Sequence, residues 1–151
     1  MSDPEAQLEA FLAKFLPKVA STGRQAVAWM RGRLPQCDAL VYDNYNALAI
    51  GFSPSGKTGH SFLSIALYPR WVSLFVSASL DDPLGILKGS GGTVRHVVLA
   101  GGAGDLETPA IAALLDQSFA RASGLFDPAR EGALVIKSVS AKQRPRRPVK
   151  P

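Results

Sequence analysis

Leu8, Phe11, Leu12, Phe15 and Leu16 recur at intervals that line up along one side of an α-helix. Ser2 or Asp3 can cap that helix, with Pro4 at its first position and Glu5 well placed on its dipole. Pro17 then breaks or restarts it. A second helix runs to about Leu34, with Val19, Val27, Met30 and Leu34 turned inward and Arg24, Arg31 and Arg33 among more polar positions. From Asp38 the period shortens toward that of strands. Asp38 to Tyr42, Ala47 to Phe52, Ser61 to Tyr68, Trp71 to Ser77 and Thr93 to Leu99 all read as strands, as does Glu131 to Ser140 near the end. Between the last two, Thr108 caps a third helix with Pro109 in its first turn, and Ile111, Leu114, Leu115, Phe119 and Ala122 make its apolar side.

The links between the middle strands are short. Parallel neighbours need a long crossover, so residues 38–99 are expected to form an antiparallel meander. Helices segregated from a run of strands give an α+β class, with an antiparallel sheet of about five to six strands against two N-terminal helices and one C-terminal helix. One domain is expected over residues 1–140, followed by a disordered basic tail over 141–151.

Charge sharpens that division. The formal net charge is +5, but Lys142, Arg144, Arg146, Arg147 and Lys150 all lie in the tail, and the rest of the chain carries 12 basic and 12 acidic residues. With three prolines and five cations, the tail is expected to bury nothing. The single cysteine, Cys37, excludes an internal disulfide framework, and two distant histidines give no zinc spacing. No apolar run is long enough to span a bilayer, and the acidic start is unlike a secretory signal, so a cytosolic protein is expected.

Gly51 to Thr58 fits the phosphate-loop pattern G-x-x-x-x-G-K-[ST]. That loop works by aiming free amides from a helix N-terminus at phosphates. Here Gly59-His60-Ser61 leads into alternating strand texture, so a hairpin loop with Lys57 at its tip is expected. ATP or GTP is not expected there, and no cofactor is assigned to the chain. Gly89 to Gly92 also leads into a strand, and the glycines at 101–104 adjoin Asp105 and Glu107, which repel anions.

The order of elements, with the strings Leu40-Val41-Tyr42, Ser64 to Pro69 and Leu87 to His96 and the capped helix from Thr108, resembles the YdhG-like family of small bacterial domains over about residues 5–124. The resemblance implies an α/β sandwich with an antiparallel sheet. Some members are described as frataxin-like iron chaperones, a role that needs a ridge of carboxylates because hard iron favours oxygen. Here that would fall to Asp3, Glu5 and Glu9 on the first helix, with Asp38 and Asp43 beside the first strand.

Two clusters carry other candidate chemistry. Tyr42 to Asn46 is dense in groups that donate and accept hydrogen bonds, and Tyr68-Pro69-Arg70-Trp71 forms a second cluster at a strand turn. Arg70 would suit an anion, with Trp71 or a tyrosine as a stacking face. His96 alternates with Val94 and Val98 and so faces their side of a strand, whereas Arg95 faces the other. No nucleophile, base and orienter converge in the sequence. The expectation is a non-enzymatic binding domain for a small polar or anionic ligand or a protein, with Tyr42, Asn44, Asn46, Tyr68, Arg70, Trp71 and His96 at the open end of the sheet. Nucleic-acid association through the tail is the alternative partner.

Overall fold

The computed structural model describes residues 3–149, so the Ser2 cap and Lys150 lie outside the described residues. Helix α1 spans Pro4–Leu12 and α2 Pro17–Arg33. Strands β1 (Asp38–Asp43), β2 (Leu48–Ser53), β3 (Leu63–Leu67), β4 (Val72–Ser77) and β5 (Val94–Val98) follow. Helix α3 (Pro109–Ala122) and strand β6 (Leu134–Val139) close the fold. The class is α+β, and no helix among the described residues is long and apolar enough to cross a membrane.

The sheet order is β5-β4-β3-β2-β1-β6. The first five strands form the expected antiparallel meander. The sixth lies parallel to β1, because α3 and its flanking loops provide the long crossover that a parallel neighbour requires. The sheet is therefore mixed.

Ala39 and Val41, Leu48, Ile50 and Phe52, Leu63, Ile65 and Leu67, and Leu74 alternate onto one face and share a core with α1, α2 and α3. Helix α2 comes so close to β3 that a Cβ at Gly23 would collide with Leu67. The opposite face carries short side chains in its middle: Ala49 pairs with Ala66, Gly51 with Ser64, and Ala66 with Ser73.

Two helix ends differ from expectation. Helix α1 stops at Leu12 and Leu16 turns extended (ψ 144°). The proline ring at 17 disfavours helical backbone in the residue before it. Phe15 is buried even so, but Leu16 is exposed. At α3, Thr108 makes no side-chain cap; its hydroxyl donates back to the Asp105 carbonyl at 2.6 Å.

Candidate functional site

Pro69 and Arg70 form the tight turn between β3 and β4, closed by Tyr68 N–H donating to the Trp71 carbonyl at 2.9 Å. Proline presets the dihedral that such a turn needs. The turn makes Tyr68 and Trp71 cross-strand neighbours, and their rings stack with centroids 5.4 Å apart at 28°. Burial raises the Tyr68 phenol above its ordinary range, so it stays protonated. Trp71 is 44% exposed, which leaves much of the indole on the surface.

Against this turn lies the C-terminal segment. The expectation that the tail would bury nothing is corrected here. Arg146 is only 6% exposed. Its guanidinium donates to the Asp43 carboxylate at 2.8 Å and to the carbonyl of Asn44, and its plane lies over Phe15 at 5.8 Å. A buried guanidinium is tolerable when paired in this way. The Asp43 side chain is fully buried and also accepts from Lys14 Nζ at 2.7 Å. Gln143 donates to the Asp43 carbonyl, and the Arg144 amide to the Tyr45 carbonyl at 2.8 Å. Arg147 reaches the Lys14 carbonyl in the turn that follows α1. Burial pushes the Asp43 carboxyl upward, but Lys14, Gln143 and Arg146 outweigh it and hold the group below the usual carboxylate range.

Between the turn and the docked segment is a cleft of about 600 Å³, walled by Asn46, Tyr68, Arg70 and Trp71 on one side and by Arg144, Pro145 and Arg147 on the other. That volume lies within the range of small-ligand sites. No acidic residue lines it. Arg147 is spent on backbone carbonyls, whereas the guanidinium groups of Arg70 and Arg144 have no partner among the described residues. Two unpaired guanidinium groups beside an aromatic stack can grip an anion and cover a flat group attached to it.

The remaining expected site residues scatter. Asn44 lines a neighbouring cleft over the helix-free face of the sheet, together with Asn46 and Tyr68. The Tyr42 hydroxyl pairs with Thr58 at 2.9 Å, away from Arg70. His96 faces the expected side but packs on Phe75, with centroids 5.3 Å apart, and its backbone bridges Lys88. Neither Tyr42 nor His96 lines the cleft. Lys142 is exposed outside it.

The five carboxylates considered for iron are each engaged separately. Asp3 caps α1, Glu5 pairs with Arg31, Glu9 with Arg24, Asp38 with Arg130, and Asp43 with Lys14 and Arg146. Among the described residues no three His, Cys, Asp or Glu side chains converge. Cys37 is buried, and desolvation pushes its thiol up to about 11, so it is held protonated.

The phosphate-loop string lies at the other end of β1. Thr58–His60 is a single 3-10 turn that runs into β3, not an α-helix. Gly56 adopts a left-handed φ of 84°, and a Cβ there would sit 2.7 Å from the Asp38 carboxylate. The Arg130 guanidinium would lie 2.9 Å from the same Cβ, so the space beside Gly56 is taken by the Asp38–Arg130 ion pair.

Of the residues singled out from the sequence, Tyr68, Arg70, Trp71 and Asn46 line the cleft. Sequence reasoning placed Arg144 and Arg147 in a free tail and did not identify Lys14 or Gln143 as the groups that dock it. The one available signal was the absence of a partner for Asp43 among nearby cations. Searches of protein-family models, curated proteins and solved structures returned no match to the chain, and none of the three identifies a family.

Proposed function

We propose that this chain is a non-enzymatic binding domain whose ligand is a small anion carrying a flat group. The observation that supports this most is the pair of unpartnered guanidinium groups, Arg70 and Arg144, facing an acid-free cleft beside the Tyr68–Trp71 stack. The Asn46 amide adds a donor and an acceptor at its rim. The cleft lining offers no serine, cysteine or histidine and no carboxylate base, which favours binding over catalysis. A cytoplasmic setting is suggested by the lone cysteine. The YdhG-like resemblance contributes the element order alone, so the weight rests on the cleft.

Thermal shift with phenyl phosphate tests the reading, with inorganic phosphate and phenol as controls. Phenyl phosphate should raise the melting temperature more than either control, and Arg70→Ala should remove the gain. A gain that survives Arg70→Ala would place the site elsewhere.

A further inference from the structure

We infer that the natural ligand is a strand, single-stranded nucleic acid, threaded through the cleft; this rests on the anion-binding role proposed above. The cleft does not end at its own walls. It shares Asn46 and Tyr68 with the cleft of about 520 Å³ over the helix-free sheet face. On the other side it shares Arg70 and Trp71 with a smaller one of about 130 Å³ beside Lys18 and Thr22 of α2. The three form one track that passes over the Tyr68–Trp71 stack. A mononucleotide would occupy only the middle of it.

The chemistry along the track suits a polyanion with flat apolar faces. None of the 12 acidic residues lines any of the three clefts. Arg70, Arg144 and Lys18 provide cations for successive phosphates. Exposed Trp71 and Tyr45 provide faces on which bases stack regardless of sequence. Over the sheet, Ala49, Ser64 and Ala66 are short enough to leave room for a base, with the amides of Asn44 and Asn46 at the edge. A duplex keeps its bases stacked inside and cannot offer them to these rings.

The test is fluorescence anisotropy of a labelled deoxythymidine oligomer of about 12 nucleotides, a length within the usual single-strand site sizes. Competitors are thymidine monophosphate and a duplex of equal length. The oligomer should bind at least about 100-fold more tightly than the mononucleotide, and its affinity should fall with salt by a log–log slope of about −0.7 per phosphate contacted. Trp71→Ala should weaken the oligomer about tenfold or more, in line with the loss of one stacked base. Lys18→Ala should flatten the salt slope for the oligomer and leave the mononucleotide unchanged.

A mononucleotide that competes as well as the oligomer overturns the strand while leaving the anion site standing. A duplex that binds equally well overturns it too, as a general basic surface. If neither oligomer nor phenyl phosphate binds in an Arg70-dependent way, both readings fall together.

Discussion

Strand β1 begins and ends on a buried aspartate, and each aspartate meets an arginine from about a hundred residues further along. At one end, Asp38 holds Arg130 through two bonds at 3.0 Å and also accepts from the Ala133 amide at 2.9 Å. Hydrogen bonding to Arg130 keeps its carboxyl low against the cost of burial. Its arginine is consumed, and carboxylate and guanidinium lie together against Gly56 of the Gly51–Thr58 loop as a neutral pair. At the other end, Asp43 takes Lys14 and Arg146, and docking Arg146 brings Arg144 and Arg147 with it. Asp43 already faces two cations, Lys14 and Arg146, so Arg144 is not drawn to it, and Arg70 lies in the adjacent turn. At the end with the phosphate-loop spelling Arg130 is paired with Asp38 and only the exposed Lys57 ammonium is without a partner among the described residues; the end without any motif has two guanidinium groups to spare. On the proposed reading, anion binding follows from two unpaired guanidinium groups sharing one cleft with an aromatic stack, not from a short string around a single lysine.

The two aspartates can be separated experimentally. Asp43→Ala leaves a buried guanidinium uncompensated and should cost about 3–5 kcal/mol in chemical denaturation. Asp38→Ala should cost less, about 1–3 kcal/mol, because the Arg130 side chain is 26% exposed and can rehydrate. Equal losses would dissolve the distinction. Deleting residues 141–151 should weaken phenyl phosphate binding at least about tenfold, the scale of one charge-assisted hydrogen bond, while the sheet signature in circular dichroism persists.

Acid acts on both ends. The two carboxyls sit below their unfolded range, so their stabilisation is fully present above the unfolded carboxylate value of about 3.9 and is lost as pH falls through the folded values. Urea unfolding followed from neutral pH down to about pH 2 should show that decline, and Asp43→Asn should make it shallower. The smallest effects belong to exposed cations. Arg144→Ala should change stability by no more than about 0.5 kcal/mol yet reduce anion affinity, and Lys57→Ala should change neither.

Much of this fold was legible because it is locally written. Alternation at Phe62 to Leu67 marked β3 and ruled against a helix after Lys57, whereas in β5 the apolar alternation of Val94, His96 and Val98 lies on the helix-free face and Val97 packs toward the core. Pro69-Arg70 between two apolar runs marked the turn that builds the aromatic stack. Pairings over long separations were not legible. Nothing near Asp43 announces that its partner is Arg146, since a guanidinium in a proline-rich run has the same local texture whether it is docked or free. The parallel placement of β6 beside β1 was hidden for the same reason: strand periodicity carries no information about which neighbour a strand selects. Tyr42 illustrates the converse error. A residue rich in polar capacity looked available, and its hydroxyl is taken by Thr58.

The most direct test is an amide chemical-shift titration with phenyl phosphate, read at both ends of β1 in one experiment. Shifts should gather at Asn46, Tyr68, Arg70, Trp71 and Arg144 and stay near baseline from Ser53 to His60. Shifts centred on Lys57 and its neighbours, or no saturable change anywhere, would contradict the claim that the surplus charge beside Asp43 makes the site.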